Sequence, residues 1–217
     1  MTHIEQKQRH VLEQIAEAKR ILCAIEFALH HQIPATLLIT SAAPGEGKSV
    51  FASILATTAA KSGKYRVAAL DLNWYRPALH RFFDLDHQHL SKTILDTDLD
   101  HLVCHCGQDS LDILTAPADY VEQAPSTDQI VPAIARLIKQ ANDSYDLVII
   151  DSAAIFPTNR LMIDPVVLSG ITAGVVMVVL SAATPKQQVR KAQKIMETAG
   201  ANILGVVNNQ WKITRKR

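Results

Sequence analysis

Five short runs of apolar residues constrain the fold of this chain more than any other feature. Each run is continuously apolar, a pattern typical of strands covered by helices on both faces of a parallel sheet. Helical patterns separate the runs, and this alternation predicts an α/β, doubly wound, mainly parallel sheet. The predicted strands lie at 36–40, 67–70, 147–150, 175–180 and 203–207, with a weaker one at 111–114, and the predicted helices cover about 49–61, 127–141, 160–169 and 185–199.

Length and composition favour one cytoplasmic domain. The chain has 217 residues, and 48% of them are hydrophobic, which is enough for a substantial core. Its formal net charge of +1 creates no global field that would attract nucleic acid, so we expect no nucleic-acid partner. The odd count of three cysteines suits a reducing compartment. Because no apolar stretch is as long as a membrane span and the first ten residues are polar, we expect a soluble, cytoplasmic protein.

The first 33 residues differ from the rest of the chain, and we treat them as an N-terminal helix preceding a domain at 34–217. An amphipathic stripe steps by three and four residues, as on one face of a helix. The sequence HHQIP at 30–34 ends this helix, because a residue before proline is pushed out of the helical region. The stripe either packs on the domain's own sheet or docks on a neighbouring subunit. It consists of Val11, Ile15, Ala18, Leu22, Ile25 and Leu29.

The sequence ITSAAPGEGKS at 39–49 predicts a phosphate-binding loop. It follows an apolar strand and precedes a helix, as the P-loop pattern requires. Gly45 and Gly47 allow backbone N–H groups to turn towards phosphate oxygens, and the following helix presents its positive end. Lys48 can reach the β- and γ-phosphates, and the Ser49 hydroxyl can bind magnesium. The predicted ATP-binding residues of this loop are Ala43, Pro44, Gly45, Glu46, Gly47, Lys48, Ser49 and Val50.

Two carboxylates stand at the carboxyl ends of predicted strands. Asp71 ends the run VAALD and Asp151 ends the run LVIID, and ligands of doubly wound sheets bind at this edge. Asp71 can hold magnesium or its water, or accept a proton from an attacking hydroxyl, whereas Asp151 resembles the Walker B carboxylate at the metal. We therefore predict a magnesium site at Ser49, Asp71 and Asp151, with Lys48, Asp71 and Asp151 as catalytic residues.

The motifs ITSAAPGEGKS, LDLNWYRP and LVIIDS, in this order, resemble those of the bacterial tyrosine autokinases of capsule and exopolysaccharide synthesis. These kinases are P-loop NTPases of the MinD/ParA-like superfamily, and the resemblance extends from residues 17–20 to residues 204–209. It implies binding of ATP and Mg²⁺, phosphoryl transfer to tyrosine, and recruitment to the inner face of the cell membrane by a membrane-bound activator that determines chain length. It also implies that Asn209 contacts adenine and that Glu17 and Arg20 take part in homo-oligomer assembly.

The chain departs from this family pattern in its second motif and in its N-terminal helix. Asn73 and Tyr75 replace a carboxylate and an arginine of the second motif, and Cys23 replaces the second arginine of the assembly motif. An amide can still bind magnesium but brings no charge, so we expect slower catalysis. Ala43 replaces the second lysine usual in partition ATPases, which disfavours a partition-type ATPase.

The C-terminal sequence WKITRKR lacks the tyrosine cluster that such autokinases phosphorylate. Of the four tyrosines, Tyr120 lies in the least regular region, at about 84–126, which we expect to be a surface excursion. Tyr120 is therefore the one plausible mobile acceptor, and we expect little autophosphorylation. Besides the kinase interpretation, this leaves open a regulatory module whose nucleotide state controls partner docking, with little phosphoryl transfer.

Overall fold

The computed structural model describes residues 3–107, 110–120, 126–159, 161–181 and 183–210, and only the backbone of 3–15 and 127. The six α-helices of this part are α1 (His3–Ala28), α2 (Lys48–Lys61), α3 (Ser91–Asp96), α4 (Thr127–Ser144), α5 (Pro165–Ser169) and α6 (Lys186–Thr198). Its seven strands are β1 (Ala35–Ser41), β2 (Val67–Asp71), β3 (Cys104–His105), β4 (Leu111–Leu114), β5 (Leu147–Ala154), β6 (Gly174–Leu180) and β7 (Ile203–Asn209).

The seven strands form one sheet in the order β3-β4-β2-β5-β1-β6-β7. Only β3 runs antiparallel to its neighbour among these strands, so the predicted mainly parallel α/β sheet is confirmed. The register of β2 and β5 pairs Asp71 with Asp151. The two carboxylates predicted from separate motifs therefore lie side by side, although β5 continues past Asp151 to Ala154.

Two hydrophobic clusters cover the two faces of the sheet, which explains the continuously apolar strands. Adjacent residues of one strand face opposite ways, so Leu38 belongs to one cluster and Leu37 to the other. Helices α4, α5 and α6 pack on the Leu38 side, and α1 and α2 pack on the Leu37 side. Strands buried on both faces have no room for an alternating polar pattern.

The described part of α1 packs within its own domain, mainly beside α2. Ala18, Leu22, Ile25 and Leu29 are buried, and the last three join the cluster that contains α2, whereas the side chains of Val11 and Ile15 lie outside the described residues. On the exposed side, Arg20 donates a hydrogen bond of 3.3 Å to Glu17 within the same helix. Docking of α1 on a second subunit stays a prediction.

Two expectations about local structure are wrong. The helix predicted at 160–169 begins only at Pro165, where the Asp164 carboxylate caps it by accepting a 2.9 Å hydrogen bond from Val166 N–H. Tyr120, expected to be a mobile acceptor in a surface excursion, is 2% exposed and packs edge-on against Trp74 with ring centroids 5.2 Å apart. The irregular region therefore contributes to the core.

Within the described residues, no helix is both long and apolar enough to span a bilayer.

Candidate functional site

The loop between β1 and α2 has the backbone geometry of an anion cradle. Gly45 and Gly47 have φ angles of 79° and 94°, a left-handed conformation that side chains with a Cβ rarely adopt. Helix α2 begins immediately after Gly47 and has no side-chain N-cap among the described residues. Its first backbone N–H groups are thus available, together with the positive end of the helix dipole, for phosphate oxygens.

Glu46 anchors this loop to the neighbouring strand. Its buried carboxylate accepts a 2.6 Å hydrogen bond from Ala43 N–H on one oxygen. The other oxygen accepts hydrogen bonds from Leu180 N–H, at 3.2 Å, and from the Thr184 hydroxyl. The sequence placed Glu46 among the ATP-binding residues, but these contacts show a side chain that holds the loop against the end of β6.

Lys48 is buried at the floor of the loop. Its ammonium nitrogen donates a 3.1 Å hydrogen bond to Ser41 Oγ, and the Ser41 hydroxyl donates to the Ala43 carbonyl at 2.6 Å. Burial lowers the pKa of Lys48, and the charges of Asp151 and Glu46 counteract this shift. The ammonium group therefore lies near two carboxylates and donates a hydrogen bond to Ser41. From this position in the loop it can bind a phosphate.

Asp71 is fully buried, and the backbone of the loop after β2 supplies its partners. One carboxylate oxygen accepts from Asn73 N–H at 3.1 Å, and the other accepts from Ala78 and Leu79 N–H at 3.2 and 3.0 Å. Burial raises the pKa of Asp71 to about 6, although these hydrogen bonds lower it. Asp71 thus fixes the conformation of the loop that forms one wall of the site.

Asp151 is equally buried but has different surroundings. Within the described residues, neither carboxylate oxygen has a partner with hydrogen-bond geometry. Burial and the charge of Asp71 raise the pKa of Asp151 to about 8, although the nearby Ser49 hydroxyl and Lys48 ammonium lower it. A buried carboxylate without a partner next to a hydroxyl is a donor set that fits Mg²⁺, a hard cation that prefers oxygen ligands.

A cavity of about 560 Å³ opens over this site. The P-loop residues Pro44, Gly45, Gly47, Lys48, Ser49 and Val50 form its floor. A second wall comes from the segment after β2 and consists of Asn73, Tyr75, Arg76, Ala78 and Phe82. A third wall comes from the end of β5 and the segment after it and consists of Ala153, Ala154, Phe156, Pro157, Asn159 and Met162. The sequence analysis missed the side chains of Phe82, Phe156, Asn159 and Met162, although their position after the strands that end in Asp71 and Asp151 was a usable signal.

Asn209 lies against the P-loop and is not among the residues that line the cavity. Its side-chain amide donates a 3.0 Å hydrogen bond to the Glu46 carbonyl, and a Cβ at Gly47 would collide with it. This contact connects the end of β7 to the loop. The predicted contact between Asn209 and adenine stays a prediction.

Comparisons with known proteins agree with this geometry. The sequence model of the ParA family, described as "NUBPL iron-transfer P-loop NTPase", matches residues 32–216. Over 196 residues the chain is 31% identical to the tyrosine-protein kinase YwqD of Bacillus subtilis, covering 88% of this chain and 78% of that protein. It is 29% identical to the tyrosine-protein kinase etk of Escherichia coli K12, covering 89% of this chain but only 26% of the relative.

Two further proteins are similar to this chain. The succinoglycan biosynthesis transport protein ExoP of Rhizobium meliloti is 28% identical over 180 residues, which cover 80% of this chain and 22% of ExoP. The crystal structure of the VpsO kinase domain superposes with a TM-score of 0.79 at 22% identity, covering 96% of this chain and 99% of that domain. The latter likeness shows a shared fold.

Proposed function

Because the chain belongs to the ParA family of P-loop NTPases, in the group of bacterial tyrosine-protein kinases, we propose that it binds Mg·ATP and transfers the γ-phosphoryl group to a tyrosine. The observation that carries this proposal is the meeting of Lys48, Ser49 and the unpartnered Asp151 carboxylate below the cavity floor. A cation, a hydroxyl and a carboxylate at a helix N-terminus are the parts that phosphoryl transfer requires.

Each residue has a separate role in the proposed reaction. The α2 N-terminus, the loop from Gly45 to Gly47 and Lys48 bind the phosphates, and Ser49 and Asp151 hold Mg²⁺, which neutralises charge on the phosphates when bound. Asp71 is a candidate for the catalytic base or for an orienting group, and its three backbone hydrogen bonds favour the orienting role. The acceptor tyrosine oxygen forms the bond to the γ-phosphorus, the bond to the ADP oxygen breaks, and the hydroxyl proton passes to a carboxylate or water. Catalysis then arises mainly from positioning and electrostatics.

We propose that this reaction takes place in the cytoplasm, at the inner face of the cell membrane, and that it regulates exopolysaccharide synthesis. The name of ExoP, which refers to succinoglycan biosynthesis transport, supports this proposal. The chain spans about a quarter of the length of etk and of ExoP. The proposed partner is a membrane-bound activator that determines polysaccharide chain length. We also propose that α1, with Glu17 and Arg20, contributes to a homo-oligomer.

A regulatory module with little phosphoryl transfer is the second candidate. Asn73, which lines the cavity where the related motif has a carboxylate, favours this candidate because an amide ligand brings no negative charge to the metal. The two candidates share ATP binding and differ only in phosphoryl transfer. An assay that measures both on the same protein therefore separates them.

Lys48→Ala tests the nucleotide site. We expect Mg·ATP affinity to fall at least about tenfold, because the variant removes a charged contact to the phosphates. Isothermal titration of wild type and variant measures this, and Lys64→Ala, at an exposed lysine near the opposite edge of the sheet, is the matched control. Equal affinities in wild type and Lys48→Ala would contradict the assignment of the loop. Phosphate transfer to a tyrosine peptide, lost in Lys48→Ala, would favour the kinase over the regulatory module.

A further inference from the structure

Helix α6 carries an exposed basic face. It contains four cations, Lys186, Arg190, Lys191 and Lys194, and one carboxylate, Glu197. All four cations are exposed, and none forms an ion pair within the described part of the chain. Three of them are spaced four residues apart, an arrangement in which like charges destabilise a helix. Since the whole chain has a net charge of only +1, this is a local patch that an acidic partner would complement.

A groove beside α6 is lined by one of these cations, Lys191, and shares one lining residue, Phe156, with the nucleotide cavity. The groove has a volume of about 320 Å³ and is lined by Phe156, Gln187, Gln188 and Lys191. The Lys191 ammonium lies 5.2 Å from the centroid of the Phe156 ring. Phe156 also lines the cavity above the P-loop. A chain bound along the groove would therefore reach the cavity at Phe156 while its neighbouring residues lie beside the cations of α6.

We propose that the Phe156 groove and the basic face of α6 bind an acidic segment next to the acceptor tyrosine of a separate polypeptide. This inference rests on the proposed function, and it specifies the substrate as a tyrosine flanked by Asp or Glu. The apolar side chains of Phe82, Phe156 and Met162 in the cavity walls suit an aromatic ring. The flanking carboxylates are attracted to Lys191 and Lys194, because charge complementarity selects the partner at such exposed surfaces.

The shape of this surface favours a polypeptide over a lipid bilayer. Lys191 lines a concave groove together with an aromatic ring and two glutamine side chains, and this groove can accept an extended chain. On α6 itself, Ala192 and Met196 face the core and are buried. The exposed side of the helix therefore offers no apolar stripe of the kind that inserts into a membrane surface.

Two fluorescent peptides test the inference. One has a single tyrosine flanked by two glutamates on each side, and the other has glutamine at those positions. With Mg²⁺ and a non-hydrolysable ATP analogue, we expect fluorescence anisotropy to show roughly tenfold tighter binding of the glutamate peptide. This preference should shrink as salt concentration rises, and Lys191→Glu/Lys194→Glu should abolish it. The charge-matched control, Lys64→Glu/Lys139→Glu at exposed lysines outside the groove, should retain it.

Mg·ATP affinity, measured on every variant, reports whether the fold is retained. Equal affinity of the wild type for the two peptides, or a preference that survives Lys191→Glu/Lys194→Glu, would overturn the inference. Vesicles of equal parts phosphatidylglycerol and phosphatidylcholine test the alternative ligand. If Lys191→Glu/Lys194→Glu keeps the peptide preference of the wild type but loses its binding to these vesicles, the inference is overturned and the basic face is a lipid-binding surface. Acid-selective binding without phosphate transfer to either peptide would support the docking surface and contradict the proposed kinase function.

Discussion

The two buried carboxylates of the site differ in what holds them. The backbone N–H groups of Asn73, Ala78 and Leu79 donate to Asp71, whereas Asp151 has no hydrogen-bond partner among the described residues. A carboxylate with three donors stabilises the structure around it, and one without donors is available to a ligand. β2 and β5 therefore place the same chemical group side by side, but Asp71 stabilises the structure whereas Asp151 is available to a ligand.

Replacing each carboxylate by its amide should separate these purposes. We expect Asp71→Asn to lower the free energy of unfolding by about 2 kcal/mol, because the new NH₂ group faces backbone donors. Asp151→Asn should change it by less than about 1 kcal/mol, since the substitution removes both repulsion from Asp71 and attraction to Lys48. Asp151→Asn should nevertheless weaken Mg²⁺-dependent ATP binding at least about tenfold. Urea unfolding and calorimetry with and without magnesium measure both effects, and a larger stability loss in Asp151→Asn would contradict this distinction.

Asn73 has a structural contact that its sequence position did not reveal. Its side-chain amide donates a 2.9 Å hydrogen bond to the Arg76 carbonyl, while the residue also lines the cavity. An aspartate at this position cannot donate that hydrogen bond. Asn73 therefore holds the turn of the cavity wall, and its neutral side chain is suited to that contact.

Asn73→Asp should consequently have two opposite effects. Without magnesium, the free energy of unfolding should fall by about 1 kcal/mol, because a carboxylate would face the Arg76 carbonyl. Phosphoryl transfer or ATP hydrolysis should reach half-maximum at a lower magnesium concentration, since a charged oxygen suits this cation better than an amide. Thermal unfolding and turnover over a magnesium series test the two parts. An unchanged magnesium dependence would leave Asn73 with its structural role alone.

At the scale of elements, strands β6 and β7 support the P-loop from outside the cavity. Glu46 connects the loop to Leu180 at the end of β6, and Asn209 at the end of β7 donates to the Glu46 carbonyl. The loop thus has fixed contacts with β6 and β7, the two strands that lie next to β1 on one side of the sheet. A loop held in this way presents its N–H groups without first having to be ordered.

Asn209→Ala distinguishes support of the loop from recognition of adenine. If the amide acts through the loop, we expect the affinities for ATP and for inorganic tripolyphosphate to fall together, each by about tenfold. Calorimetry with both ligands measures this, and Asn202→Ala, at an asparagine whose amide donates to the Ala173 carbonyl away from the loop, is the control. A loss confined to ATP would instead assign Asn209 to adenine.

At the scale of the whole molecule, contacts within the fold hold all four tyrosines of the chain in place. Tyr120 is buried against Trp74, and the hydroxyls of Tyr65 and Tyr145 each donate a 2.7 Å hydrogen bond, to Glu26 and Asp112. Tyr75 lines the cavity of its own site. None of the four is presented on a segment that the structure shows to be free to enter a second molecule.

We therefore expect little autophosphorylation of the purified chain in Mg·ATP, with transfer directed to a separate polypeptide. Mass spectrometry after incubation, alone and with a candidate membrane activator, measures phosphotyrosine on each protein. Lys48→Ala controls for phosphate that does not come from this site. Abundant phosphotyrosine on this chain that disappears in Lys48→Ala would contradict the expectation and favour an ordinary autokinase.

The sequence alone determined the α/β architecture and the P-loop, because both depend on local patterns. Continuously apolar runs indicate strands that are buried on both faces of the sheet. The spacing of glycine, lysine and serine indicates a turn followed by a helix. The sequence also predicted Asp71 and Asp151 at strand ends. Asp71 does end β2, whereas β5 continues to Ala154, and the parallel register pairs the two aspartates. The start of α5 at its Asp164 cap was missed, although that contact is local. The burial of Tyr120 was missed because it depends on packing against the distant Trp74.

Only the tertiary structure decided what each site residue contacts. Binding of metal or nucleotide by Asp71, Glu46 and Asn209 stays a prediction, and the structure adds that their hydrogen bonds hold the walls and the loop of the site. The Phe156 groove likewise combines residues from the segment after β5 with residues of α6, which are separated by about thirty positions in the chain. Such contacts arise when strands and helices pack, because packing and not sequence spacing fixes the distances between residues on different elements.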